Sequence, residues 1–296
     1  MEPRQIALRS KEYTPELLAE LRFLGATVLE TTPSMLWIAE DPVEPAWADC
    51  VWRDVRSLKI ESIADAQRKL KAISKRWRYH GDLFHRRGSL IFDQLNQKAT
   101  AGDPVFTMGG ADRIYYSHAV QRPTVDGQLP FQENRVDPPS RAYLKLWEAL
   151  TLLGEWPKAG ERVVDLGSSP GSWSWALAQL KCQVLSLDRS ELAESLMKNP
   201  YIEFKKGDAF SFQPTSMDWV FCDVICFPEK LYDYVQTWLA SGLCQKFVCT
   251  VKFKGEADPR IVDLFRKLPQ SRVIHLLNGK KEVTWISHPF YRSQRC

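Results

Sequence analysis

The 296 residues contain no apolar run approaching the roughly 20 that a membrane-spanning helix needs. The opening residues, Met1-Glu2-Pro3-Arg4-Gln5, lack the basic-then-apolar layout of a secretory signal. Cysteines number seven, an odd count without regular spacing, which argues against a disulfide framework. Cys182, Cys244 and Cys249 fall in or near apolar runs, and Cys222 and Cys226 lie four apart. Packed, reduced thiols are the expectation, with zinc the lesser alternative, and the cytoplasm is the expected compartment. The net charge is only +4, so a polyanionic partner has to be sought in how charge is distributed. The chain also has no internal repeat, no low-complexity tract, no G-x-G-x-x-G and no P-loop Lys-Ser/Thr, so NAD and ATP are poor candidates for a ligand. What remains is the composition of an ordinary globular protein, 44% hydrophobic and 26% charged, with length for one large domain or two ordinary ones.

One stretch organises the chain: Val163-Val164-Asp165-Leu166-Gly167-Ser168-Ser169-Pro170-Gly171-Ser172-Trp173. An apolar run ends in an acid, a turn with two glycines follows, and helical spacing then begins at Trp173, Ala176, Leu177 and Leu180. This is the pattern of a buried parallel strand delivering its carboxyl end to a ligand loop. Gly167 and Gly171 permit a close approach to the main chain. Asp165 stands where it can anchor the loop or accept a hydrogen bond from a cofactor amine.

The chain before it reads as a small α/β module. Strands are expected at 5–10, 27–30 and 35–40, a helix from Thr14 or Pro15 to Gly25, and a second helix over 46–59, where Trp47, Val51, Val55 and Leu58 recur. Residues 61–96 read as helical, with breaks near Gly81 and Gly88. Between 68 and 87 stand Arg68, Lys69, Lys71, Lys75, Arg76, Arg78, Arg86 and Arg87, with Asp82 the only acid. Trp77, Tyr79, His80, Phe84 and His85 are interleaved. Clustered cations neutralise phosphates and aromatic faces stack on unpaired bases, so RNA is a candidate partner, with Arg76, Arg78, Arg86 and Arg87 its contacts. The competing reading is a solvated helix face over core aromatics. Asn96 to Pro104 is loop-like, 105–108 and 113–118 look like strands about Gly109-Gly110, and Pro123, Pro130, Pro138 and Pro139 make 119–139 an extended connector. The expected organisation is thus a module over 1–100, strands and connector over 101–139, and a second domain over 140–296.

From Ser140 the pattern alternates. Helices are expected at 141–153, 190–198, 228–242 and 258–268, and strands at 183–188, 202–204, 217–223, 246–252, 272–276 and 282–286. Such alternation means a doubly wound, mostly parallel sheet of Rossmann-like α/β class, closing in an antiparallel pair across Asn278-Gly279. Ligands of such sheets sit at the strands' carboxyl ends. Asp188 ends the second strand, where an acid accepts hydrogen bonds from ribose hydroxyls. Asp208 follows the third and can meet an adenine amine. Asp223 ends the fourth and Lys252 the fifth; Glu282 begins the last, and Lys145 lies on the helix before the opening loop.

With these residues in view, residues 138–288 resemble the FtsJ/RrmJ-type ribose 2′-O-methyltransferases. The resemblance rests on Ser140-Arg141-Ala142-Tyr143-Leu144-Lys145-Leu146, the Asp165–Trp173 loop, Cys222-Asp223, Val251-Lys252-Phe253 and Lys281-Glu282-Val283. It implies a catalytic Lys-Asp-Lys-Glu tetrad of Lys145, Asp223, Lys252 and Glu282. It also implies S-adenosylmethionine as cofactor, held by Asp165, Gly167, Ser168, Pro170, Gly171, Ser172, Trp173, Asp188, Asp208 and Asp223. Among the branches the chain looks most like the RlmM type, which methylates a cytidine ribose in large-subunit (23S) ribosomal RNA and carries an N-terminal RNA-binding region. Ser172 stands where the family loop has a second glycine, and the N-terminal region is shorter than that of the RlmM type. A ribose hydroxyl must lose its proton as it attacks, so one lysine has to act as a free amine. Lys252 is the candidate base and Lys145 the neighbouring cation, with Asp223 and Glu282 orienting both. The alternatives are a methyltransferase for a protein or small molecule, and an inactive RNA-binding protein of the same fold.

Overall fold

The structure, a computed structural model, describes residues 1–9, 12–95, 99–122, 124 and 129–292. Ser10, Asn96 and Pro123, named above in a strand and two loops, lie outside them. The chain divides into two compact units, Met1–Leu129 and Pro130–Cys296.

In the first unit β1 (Gln5–Leu8) leads to α1 (Thr14–Phe23), which buries Leu17 and Leu21 and ends before Gly25 at φ 71°. Strands β2 (Val28–Thr31) and β3 (Met35–Ile38) follow. The helix expected over 46–59 is instead two strands, β4 (Cys50–Arg53) and β5 (Arg56–Lys59). Trp47, Val51 and Val55 recur every four residues, which suits one face of a helix and, four being even, one face of a strand. Cys50, Val51 and Trp52 are all buried, so β4 is covered on both faces and shows no alternation to betray it.

Next come α2 (Ile63–Ile73), capped by Ser62, β6 (Arg78–Tyr79), α3 (His85–Leu95), β7 (Val105–Gly110), β8 (Arg113–Ser117) and β9 (Ala119–Val120). One sheet has the order β2-β3-β1-β4-β9 and the other β5-β8-β7-β6. Strands β7 and β8, assigned from sequence to the connector region, are thus the centre of a sheet in the first unit. Gly88 does not break a helix; it lies inside α3. A Cβ there would fall 2.2 Å from the Tyr79 hydroxyl, so the glycine makes room for that ring.

In the second unit α4 (Tyr143–Leu153) precedes β10 (Arg162–Leu166), α5 (Ser172–Gln179), β11 (Gln183–Asp188), α6 (Glu194–Met197), β12 (Ile202–Lys206) and β13 (Trp219–Cys222). Then come α7 (Pro228–Ser241), β14 (Phe247–Lys252), α8 (Pro259–Lys267), β15 (Ser271–Ile274) and β16 (Glu282–Ser287). The helix expected over 190–198 shortens to α6, because the Asp188 carboxylate takes the Ser190 N–H into a turn. The seven strands run β12-β11-β10-β13-β14-β16-β15, parallel except for β16, which is antiparallel to both neighbours. The Rossmann-like α/β class read from the alternation is the fold of this unit. Its core gathers Trp219, Phe221, Val248 and Ile286 from the sheet with Tyr143, Leu146, Leu150, Trp175 and Leu177 from α4 and α5. No helix among the described residues is long and apolar enough to cross a membrane. All six cysteines whose surroundings are described are free, and five of them are buried.

Gly88→Ala separates local propensity from packing. Helix propensity alone predicts a gain of about 1 kcal/mol. Overpacking against Tyr79 predicts a loss of about 1–3 kcal/mol, and the contact should prevail. Urea unfolding of the variant should show net destabilisation, relieved when Tyr79→Ala is added.

Candidate active site

The strand order reverses beside β10: β11 lies on one side of it and β13 on the other. The carboxyl ends of β10 and β13 therefore open a crevice, the usual ligand position of such sheets. Gly167 follows β10 and faces the backbone that follows β13: its φ is 77°, and a Cβ would fall 2.6 Å from Val224 Cγ2. Only glycine meets both the angle and the approach. The Asp223 N–H donates to the Leu166 carbonyl at 3.0 Å, which brings Asp223 to the same edge.

Four side chains converge there. Lys145 Nζ, projecting from α4, donates to Asp223 Oδ1 and Oδ2 at 3.0 Å each and to Glu282 Oε1 at 2.8 Å. Lys252 Nζ lies 2.8 Å from Asp223 Oδ1 and donates to the Asp223 carbonyl at 2.8 Å. Lys252 and Glu282 are register partners of β14 and β16. That pairing depends on β16 being antiparallel, because the start of an antiparallel strand lies at the edge where its parallel neighbours end. Lys145 and Glu282 are nearly enclosed, with side chains 9% and 8% exposed; Lys252 is more open at 21%.

Burial opposes the charge on Lys145, but the Asp223 and Glu282 carboxylates more than reverse this and raise its pKa above the ordinary lysine value. Burial likewise pushes Asp223 up, while Lys145 and Lys252 hold it below the ordinary carboxylate value. Asp165 differs. Enclosed in β10, it is pushed up to about 7 by burial, despite the hydroxyl of Ser174 that donates to its Oδ2 at 2.6 Å.

Beside this cluster is a cavity of about 390 Å³, lined by Gly167, Asp188, Asp208, Phe210, Val224 and Phe227 among others. Asp188 accepts the Ser169 N–H at 3.1 Å and the Ser190 N–H at 2.8 Å, one on each oxygen. The carboxyl of Asp208 is held below its ordinary value by the Phe210 N–H and by an ion pair with Arg189. Buried Asp165 Oδ1 and Ser168 Oγ have no hydrogen-bond partner among the described residues.

Residues 138–279 match the model of the FtsJ-like methyltransferase family. The match falls within the second unit and makes that unit similar to the family over most of its length. Curated relatives carry the name ribosomal RNA large subunit methyltransferase M. That of Azoarcus sp. (strain BH72) is 34% identical over 163 residues, covering 49% of this chain and 45% of the relative. That of Halorhodospira halophila is 42% identical over 118 residues, covering 38% of this chain and 35% of the relative. The chain thus spans less than half the length of these relatives.

Within the FtsJ-like unit, Lys145, Asp223, Lys252 and Glu282 meet in one cluster, while Gly167, Asp188 and Asp208 line the adjoining cavity. Asp165, Ser168, Pro170, Gly171, Ser172, Trp173 and Asp223, also read from sequence as cofactor contacts, do not line it. Ser172 Oγ donates to the Ser140 carbonyl at 3.1 Å, and Trp173 Nε1 donates to the Ala142 carbonyl at 2.9 Å. Both side chains fasten the loop to the segment entering α4. The serine in the family's glycine position thereby has a bonding partner of its own. Thr250 was missed by the sequence reading. Its hydroxyl donates to Asp223 Oδ1 at 2.6 Å. The available signal was strand period: Thr250 lies two residues before Lys252 and so on the same face. Also missed were Val224, Ile225 and Phe227, an apolar loop with Ile225 74% and Phe227 67% exposed.

In the first unit Arg76 and Arg86 are exposed and Arg87 half-buried. Arg78 does not join them. It is buried, and its Nε donates to the Asp103 carbonyl at 2.7 Å. Trp77 packs edge-on against Phe106 and Tyr116 in the core, so it offers no face to a base.

The Asp165 shift gives a test on the protein without ligand. Its folded-state pKa lies above the unfolded one, so the unfolded chain binds fewer protons between about pH 4 and 7 and stability falls across that window. Wild type should lose up to a few kcal/mol relative to Asp165→Asn as pH rises through it, measured by denaturant unfolding at pH 5 and 8.

Proposed function

We propose that the FtsJ-like unit transfers the methyl group of S-adenosylmethionine to a ribose 2′-hydroxyl of large-subunit ribosomal RNA. The observation that carries this reading is the Lys145–Asp223–Lys252–Glu282 cluster at the cavity's edge. The relatives' names support ribosomal RNA as the substrate. The residues present fit the cofactor. Asp188 keeps lone pairs free for ribose hydroxyls, Asp208 and Phe210 line the cavity, Gly167 leaves its floor open, and Ser168 Oγ, in the same loop, has no hydrogen-bond partner among the described residues. When bound, S-adenosylmethionine supplies an electrophilic methyl carried on a sulfonium.

The chain's own part is to manage the acceptor's proton. Lys145 is held as an ammonium by three carboxylate oxygens, so it is not the base. Lys252 is the more open lysine and is engaged by one carboxylate oxygen and one carbonyl. As the free amine it takes the hydroxyl proton, while the fixed positive charge of Lys145 stabilises the developing oxyanion. Thr250 and both lysines fix the Asp223 carboxylate; Glu282 completes the enclosure of Lys145. Easier nucleophiles than a ribose hydroxyl need no such base. In the first unit, Arg76, Arg86 and Arg87 supply phosphate contacts, with Phe84 49% exposed among them.

Lys252→Ala should lower transfer by about 10²-fold or more while its affinity for S-adenosylmethionine, measured by calorimetry, stays at the wild-type value. Turnover near wild type on the same RNA would remove the assignment. Charge reversal at Arg76, Arg86 and Arg87 should weaken RNA binding and flatten its salt dependence; an unchanged salt slope would make them a solvated face only.

A further inference from the structure

Glu148 lies on α4 three residues after Lys145, on the same helix face. It is 1% exposed. Its Oε1 accepts the Leu277 N–H at 2.9 Å, and its Oε2 accepts both the backbone N–H and the side-chain amide of Asn278 at 2.9 Å. An ionised carboxylate suits this task because it is an acceptor on both oxygens. Glutamine has one acceptor and would turn a second donor toward Asn278.

The segment so held is the connection from β15 to β16. It turns back through the Gly279 N–H to the Leu276 carbonyl at 2.8 Å, and the Glu282 N–H closes its far end on the Lys280 carbonyl at 2.8 Å. Gly279 packs onto the catalytic cluster: a Cβ there would fall 3.3 Å from Glu282 Oε1 and 3.0 Å from the Leu276 carbonyl oxygen. Glu282 Oε1 is the same oxygen that accepts from Lys145. One helix therefore grips the same connection twice, through Lys145 at its end and through Glu148 at its middle.

We infer that Glu148 is a positioning residue for methyl transfer, fixing the β15–β16 connection so that Glu282 stays on Lys145. The inference rests on the functional reading above and names a residue outside the tetrad on which the tetrad depends.

The test compares Glu148→Gln and Gly279→Ala in the full chain, using S-adenosylmethionine and the RNA that wild type methylates. Each variant should lose roughly tenfold in kcat with KM for both substrates unchanged. The alkaline limb of the kcat profile should move to lower pH, because a loosened Glu282 no longer helps to keep Lys145 charged. The double variant should fall little further than the worse single one, as expected for one shared path. If Glu148→Gln does not fold, Gly279→Ala decides, since it presses on Glu282 without touching Glu148. Wild-type kcat and pH profile in both variants would overturn the inference. A crystal structure of Glu148→Gln tests it without activity: Glu282 Oε1 should have withdrawn from Lys145, and an intact contact overturns it. Wild type that methylates no RNA would instead remove the functional reading, leaving that structural comparison to decide the role of Glu148.

Discussion

An ammonium ion withdrawn from water is tenable only if carboxylates come with it. Lys145 is such an ion. It is 7% exposed, and its three protons are directed at Asp223 and Glu282. Those partners come from sequence positions 78 and 137 residues away, so the requirement can be met only after the sheet has formed in one register. The glycine-bearing loop after β10, the end of β13 and the antiparallel insertion of β16 are all conditions of that meeting. A one-residue slip of β16 against β14 would turn Glu282 to the other face of the sheet and leave Lys145 with one carboxylate.

On the proposed reading, the same constraint divides the work of the two lysines. They share Asp223, yet they are not equivalent. Lys145 is closed in by two acids and a helix, and its raised pKa makes it a fixed charge. Lys252 stands at the open side, where a substrate oxygen can approach. The asymmetry arises from burial and partner count alone.

Much of this was legible in the sequence because the relevant signals are local. The alternation of short apolar runs with amphipathic segments gave the doubly wound sheet, and polar residues at the ends of those runs gave Asp188, Asp223, Lys252 and Glu282. What failed to show was non-local or degenerate. A spacing of four fits helix and strand alike, so β4 and β5 read as a helix. The burial of Arg78 depends on the Asp103 carbonyl, supplied by a loop 25 residues on, and a charge run cannot reveal it. Trp173 and Ser172 follow the ligand loop in sequence, but their direction is set by Ser140 and Ala142, about 30 residues earlier. The division between Leu129 and Pro130 was blurred because β7 and β8 pair with β6 and β5, back toward the N-terminus.

The cluster is read as machinery for a hydroxyl acceptor, and the position of the transferred methyl tests that most directly. Labelled methyl transfer from S-adenosylmethionine into ribosomal RNA of cells lacking the protein, followed by digestion to nucleosides and mass spectrometry, locates it. The account predicts label on the ribose 2′-oxygen of a large-subunit nucleotide, sharply reduced when Lys252 is replaced by alanine. Label on a base, or on protein with none on RNA, would contradict it.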